Sequence, residues 1–179
     1  MVYDPERHHR RSIRLRGWDY SNPGAYFVTV CVQDHECLLG EIQGGEMILN
    51  DYGVNVDFVW RDLPNHNRNV TIDEFVVMPN HVHGIIMINE PDVGAGSQPA
   101  PAETTKIKRI PLSEIVRQFK TFSARRINES RKTPNVPVWQ RNYYEHIIRD
   151  YKSLDNIRAY IINNPARWAI DKNNPDRLL

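Results

Sequence analysis

Residues 70–88, "VTIDEFVVMPNHVHGIIMI", constrain the fold more than any other stretch of this 179-residue chain. The runs 70–78 and 81–88 are rich in β-branched and apolar residues, and Pro79-Asn80 between them is turn chemistry. Two strands joined by a tight turn are predicted. On the second strand His81, His83, Ile85 and Met87 share one face, and Val82, Gly84, Ile86 and Ile88 share the other. Both faces are apolar, so both require cover. Gly84 leaves room for another backbone to approach.

The rest of the chain supplies that cover. "AYFVTVCVQ" (25–33) alternates as a strand does. Asn50 can cap a helix through Leu63, with Tyr52, Val56, Val59, Trp60 and Leu63 at helical spacing. A second helix is predicted over 112–129, with Leu112, Ile115, Val116, Phe119 and Phe122 as its apolar stripe. "VWQRNYYEHIIRD" (138–150) supplies a fourth strand around 143–149, and Asp150 caps a third helix from 151 to about 163, stopped by Pro165. The order β-α-β-β-α-β-α predicts an α+β chain, a ferredoxin-like βαββαβ sandwich with an added C-terminal helix. That helix is the available cover for the histidine face. We read 1–179 as a single domain, with a basic N-terminal arm (1–23) and a flexible surface loop at 90–105, "EPDVGAGSQPAPAETT".

Charged residues make up 25% and hydrophobic ones 40%, ordinary for a soluble globular chain, and no stretch approaches a membrane span. With only Cys31 and Cys37, a disulfide framework is not expected, which places the chain in a reducing cytoplasm. The net charge of +1 hides two basic clusters. Arg7, Arg10, Arg11, Arg14 and Arg16 face Glu6 alone, and residues 106–132 hold Lys106, Lys108, Arg109, Arg117, Lys120, Arg125, Arg126, Arg131 and Lys132 against Glu114 and Glu129. Each suits a phosphate backbone, and each is equally compatible with a solvated face; together they favour nucleic acid.

Alternate strand residues point the same way, so the two imidazoles can converge on one ion. The alternative is a pair of structurally hydrogen-bonded histidines; burial in an apolar run makes unpaired imidazoles costly. In "SLDNIRAYIINNPAR" (153–167) Leu154, Ile157 and Ile161 form a packing stripe, while Asn156, Tyr160 and Asn164 stand at i, i+4 and i+8 beside it. Two histidines and an amide oxygen would hold a divalent ion acting as Lewis acid on a phosphate, with Tyr160 as nucleophile. The bland alternative for Tyr160 is a boundary aromatic with a wetted hydroxyl.

"MPNHVHGIIMI" resembles the HUH motif of the single-tyrosine HUH transposases. "VWQRNYYEHIIRD" followed by "YIINNP" is similar to the C-terminal half of their REP-associated (RAYT) branch, and "RSIRLRGWDYSNPGAYFVTVCVQ" to its arm and first strand. The resemblance runs over roughly residues 10–168, except the 90–105 loop. It implies His81, His83 and Asn164 as metal ligands for Mg2+ or Mn2+ and Tyr160 as nucleophile, with Tyr143, Tyr144 and Tyr151 as rivals. Relatives place Gln or Asn at the third ligand, and Asn reaches less far than Gln, so the helix must approach closer. The implied reaction is cleavage and rejoining of single-stranded or hairpin DNA through a 5′-phosphotyrosine. The implied phosphate clamps are Arg10, Arg11, Arg14 and Arg16 of the arm, Arg117, Lys120 and Arg125 of the second helix, and Arg141. Trp18 or Trp139 would serve as stacking platforms, with a core position the equal alternative for Trp139 beside its strand. Some relatives exchange the tyrosine helix in a homodimer. His146 also matches the family pattern, with a packed, hydrogen-bonded imidazole as its default role.

Rival readings are a non-catalytic nucleic-acid-binding protein of the same fold, a replication initiator or relaxase sharing the histidine motif, and a zinc-storage or cupin-like protein. Initiators usually carry extra domains, and the alternation of strands and helices does not suit a cupin.

Overall fold

The computed structural model of the chain describes residue 15 and residues 17–90 and 109–177. Arg10, Arg11, Arg14, Arg16 and most of the 90–105 loop lie outside them. The central sheet contains β1 (Gly24–Cys31), β4 (Val70–Met78), β5 (His81–Ile88) and β6 (Tyr144–Ile148), in the order β4-β5-β1-β6 with antiparallel neighbours throughout. This is the split βαβ arrangement expected from the element order. Between β1 and β4 come a small hairpin, β2 (Gly40–Gln43) and β3 (Glu46–Leu49), and the helices α1 (Asp51–Arg61) and α2 (Leu63–His66). Helix α3 (Leu112–Ser130) links β5 to β6, and α4 (Tyr151–Ile162) follows β6.

The β2–β3 hairpin escaped the sequence reading. Gly44 and Gly45 form its two-residue turn at φ 60° and 86°, which side chains with a Cβ rarely adopt. Both expected caps are present: the Asn50 side chain accepts from the Tyr52 and Gly53 amides, and the Asp150 side chain accepts from the Ser153 amide.

One face of the sheet buries Tyr26, Val28, Val30, Val82 and Ile86 against Val56, Val59 and Trp60 of α1 and Ile115, Val116 and Phe119 of α3. Gly84 meets an indole there rather than the expected backbone: a Cβ on it would lie 2.3 Å from Trp60 Cζ2. A second correction concerns α3. Phe122 is 43% exposed, and its place on the buried stripe is taken by Ser123. The reason is polar: Ser123 Oγ donates to the Phe119 carbonyl and accepts from Trp139 Nε1. Trp139 is therefore a core residue and not a stacking platform; Trp18 keeps an open surface, with its Nε1 donating to Tyr26.

Helix α4 covers the opposite, histidine-bearing face. Leu154 and Ile161 pack on Ala25, Phe27, Ile85 and Ile148. Its angle is fixed by Arg158, which donates to both carboxylate oxygens of Asp73 at 2.9 and 2.6 Å, where β4 departs from regular pairing between Ile72 and Phe75. The Arg158 hydrogen bonds hold the Asp73 carboxyl below its usual 3.8. Its stabilising effect is thus complete above the unfolded-state value and lost as pH falls through the depressed folded one. Because Arg158 is partly solvated, Asp73→Asn is expected to cost only about 1 kcal/mol in urea unfolding at pH 7. The difference from wild type should shrink as pH falls below the ordinary carboxylate range and through the depressed folded value; a cost unchanged by acid would exclude the ion pair as its source.

Candidate active site

His81 and His83 are fully buried, at 0% and 1% exposure, with ring centroids 4.4 Å apart. Their placement follows from register: Cys31 and Met78 flank His81, while Thr29 and Val76 flank His83. Burial pushes both imidazoles well below the usual histidine range, so both are neutral at pH 7.

The His81 tautomer can be assigned from the hydrogen bonds. Asn80 Nδ2 donates to the His35 and Asn173 carbonyls at 3.0 and 2.7 Å, which fixes its Oδ1 as an acceptor. His81 Nδ1, 2.8 Å away, therefore carries the proton, and His81 Nε2 faces the site as a lone pair. His83 Nδ1 lies 2.8 Å from Thr29 Oγ1. Its Nε2 lies 3.1 Å from the Tyr160 hydroxyl, so each ring nitrogen meets a hydroxyl that can donate or accept. Burial pushes the Tyr160 phenol up, with Asp171 adding to the effect, and Asn164 and Arg167 opposing it.

Asn164, expected as a third ligand, is drawn into the interior near the histidines, where its Nδ2 donates to Asp171. Asn164 is 2% exposed, one turn beyond Tyr160. Its Oδ1 and His81 Nε2 are both buried without a hydrogen-bond partner. Two such acceptors in one site suit a cation, since a buried lone pair left unmatched is costly. A carboxylate missed by the sequence reading joins them: Asp171 follows the 3-10 turn Pro165–Ile170, and one ligand atom each from His81, His83 and Asp171 lie within 4.8 Å of one another. Asp171 also accepts from Asn164 Nδ2 at 3.4 Å and from the Asn173 amide at 2.7 Å. Residues 165–173 thus fold back over the histidines, with the Trp168 ring 6.0 Å from His81. No periodicity announces this segment, and only the polar string "DKNNPD" hinted at it.

The other tyrosines stand away from the pair. Tyr143 packs against the helix-side core, Tyr144 is 44% exposed and Tyr151 is 86% exposed. His146 is exposed rather than packed as expected. Among the expected clamps, Arg117 pairs with Glu114 and Arg125 with Glu129, while Arg141 is exposed. The Lys120 ammonium is committed elsewhere: it donates to the carbonyls of Gln140, Arg141 and Asn142, and burial lowers its pKa to about 8. It acts as a clamp on the chain entering β6.

Asn80 is the hub of the histidine network. Truncation in Asn80→Ala would leave two carbonyls and the His81 N–H unmatched in the interior. A loss of about 2–3 kcal/mol is expected in urea unfolding; a change below about 0.5 kcal/mol would show that the network reorganises freely.

No protein-family model matches the chain. An "Uncharacterized protein" of Haemophilus influenzae is 45% identical over 175 residues, covering 95% of this chain and 96% of that one. A second Haemophilus influenzae protein, named "Putative REP-associated tyrosine transposase", is 27% identical over 150 residues, 83% of this chain and 74% of that one. The solved structure of a REP-associated tyrosine transposase bound to a REP hairpin shares the fold, with a TM-score of 0.55 at 19% identity, covering 88% of this chain and 74% of that one. The fold is that of a tyrosine transposase. The chain belongs to one family with the 45% identical Haemophilus protein, and it is similar in sequence and in fold to REP-associated tyrosine transposases. Among the described residues no helix is long and apolar enough to cross a membrane.

Proposed function

We propose that this chain cleaves and rejoins single-stranded, hairpin-containing DNA through a covalent bond to Tyr160. The observation that carries the reading is the Tyr160 hydroxyl 3.1 Å from His83 Nε2, beside a His81–His83–Asp171 cluster and the unpartnered buried His81 Nε2 and Asn164 oxygen. The named relatives supply the DNA. His81, His83 and Asn164, with Asp171 beside them, fit a divalent ion such as Mg2+ or Mn2+, which would supply Lewis-acid stabilisation of charge on the phosphate oxygens.

The protein groups account for the rest. The Tyr160 oxygen forms a bond to phosphorus and the bond to the 3′ oxygen breaks, leaving a 5′-phosphotyrosine and a free 3′-hydroxyl. The phenolic proton leaves through the open side of the ring, which is 37% exposed, and the departing 3′ oxygen gains one. A later attack by another 3′-hydroxyl reverses the bond changes, so no energy source is consumed. The Tyr160 hydroxyl sits at His83 Nε2, the atom that would also bind the ion, so His83 would hold either the hydroxyl or the metal. Arg117, Arg125 and Arg141, together with the arm residues Arg10, Arg11, Arg14 and Arg16, are the phosphate contacts of this reading.

The test uses labelled hairpins from the flanking genomic DNA with Mn2+, resolved on a denaturing protein gel. Label should remain on the protein and disappear with excess chelator. Hairpin binding without any covalent label would favour the rival, a binding protein without catalysis; label that survives chelation would remove the metal from the reading.

A further inference from the structure

Beside the tyrosine site, across Phe27, lies a groove that the cleavage chemistry does not use. This groove, of about 470 Å³, runs between β6 and α4 and is lined by Phe27, Tyr144, His146, Lys152, Asn156 and Ile157, among others. Register explains its composition. Thr29 pairs with both His83 and Tyr144, and Phe27 with both Ile85 and His146, so Tyr144 and His146 project from the same sheet face as the histidine pair. Because β6 lies at the sheet edge and α4 lies over the inner strands, these two side chains stay exposed.

Groove and site share a wall. The Phe27 ring stacks on His83 at 5.4 Å, meets Tyr160 edge-on at 6.1 Å and meets Tyr144 at 6.2 Å. A cation spans the same gap: the Lys172 ammonium lies 5.7 Å from the Tyr144 ring centroid, and its charge also depresses both histidines. Lys152 adds a second at the rim. The polar groups inside are idle. His146 and Asn156 have no hydrogen-bond partner among the described residues, whereas Asp150 is engaged with the Ser153 amide. An exposed aromatic face, unmatched donors and acceptors beside it, and Lys172 between it and the histidine pair together suit a planar, edge-polar ring attached to a phosphate.

We propose that this groove is a nucleobase pocket. It receives the base of a nucleotide adjoining the phosphate attacked by Tyr160, stacks it on Tyr144, and reads its edge with His146 and Asn156. The proposal rests on the cleavage reading above, and gives it a specificity element outside the hairpin itself. Lys172 contacts the intervening phosphate.

The experiment places 2-aminopurine, in turn, at each nucleotide flanking the cleaved phosphate, which the wild-type adduct maps. Tyr160→Phe protein holds the strand uncut while fluorescence reports stacking. One position is expected to be quenched on binding, and the quench should be lost when Tyr144→Ala is added, with affinity falling about tenfold. In protein with Tyr160 intact, an abasic nucleotide at that position should lower adduct yield about tenfold, and by much less in Tyr144→Ala, because the two changes remove one interaction. His146→Ala and Asn156→Ala should alter which base is preferred there. If adduct forms but no position shows Tyr144-dependent quenching, or the abasic and Tyr144→Ala losses multiply, the pocket is overturned while the cleavage reading stands. If no adduct forms with any strand, both fall together.

Discussion

Tyr160→Phe is expected to abolish the covalent protein–DNA adduct, by at least about a thousandfold, while hairpin affinity stays within about twofold. The substitution removes one oxygen and leaves the ring. That ring is held edge-on by Phe27 and carried by α4, which the Arg158–Asp73 pair fixes independently. With the oxygen goes its hydrogen bond to His83 Nε2, while the packing of the ring is unchanged. Folding should therefore be preserved, and any loss is chemical. The comparison also decides among the tyrosines. Tyr144 and Tyr151 are exposed and, among the described residues, the hydroxyl that meets a histidine of the pair is that of Tyr160, so Tyr144→Phe and Tyr151→Phe should retain the adduct. Label trapped by Tyr160→Phe would move the nucleophile to one of them and dissolve the site as described.

The second large effect lies on the other side of the same strand. Gly84→Ala should destabilise the protein by about 3 kcal/mol, roughly a hundredfold in the folding equilibrium. The added methyl would sit 2.3 Å from Trp60 Cζ2 and 2.9 Å from Phe75 Cβ, distances that force the indole or the sheet to move. Trp60 is fully buried and pressed between Phe75 and Phe119, so it has nowhere to go. Trimming the indole in a Trp60→Phe, Gly84→Ala double variant should cost less than the sum of the two single changes, measured as urea midpoints at constant m-value. Strict additivity would mean that the glycine is needed for another reason.

Much of this architecture could be read from the residues, for reasons that also explain the omissions. The strands at 70–78 and 81–88 and the caps Asn50 and Asp150 were legible because they depend on local chemistry. Hairpin 40–49 carried an equally local signal in "EIQGGEMIL", alternation around a glycine pair, and it was overlooked. Phe122 and Ser123 show where local reasoning misleads: hydrophobicity selects the phenylalanine for burial, but Trp139 needs an oxygen at that place. The site followed the same division. His81, His83, Tyr160 and Asn164 were visible as spacing on a strand and a helix. Asp171, Lys172 and Asn173 were not, because only the return of the chain after Pro165 brings them near. Asn80 was read as a turn residue, and its bonds to residues 35 and 173 lie far away in sequence.

The Arg158–Asp73 pair joins α4 to the sheet within one chain, and if the proposed cleavage keeps that arrangement it has a genetic consequence. When every part of a reaction centre is encoded in one polypeptide, two defective copies cannot rescue each other. A mixture of His81→Ala and Tyr160→Phe proteins should be as inactive as either alone, and an inactive allele should not poison a functional one in the same cell. Inheritance of this activity would then be all or nothing for each gene copy.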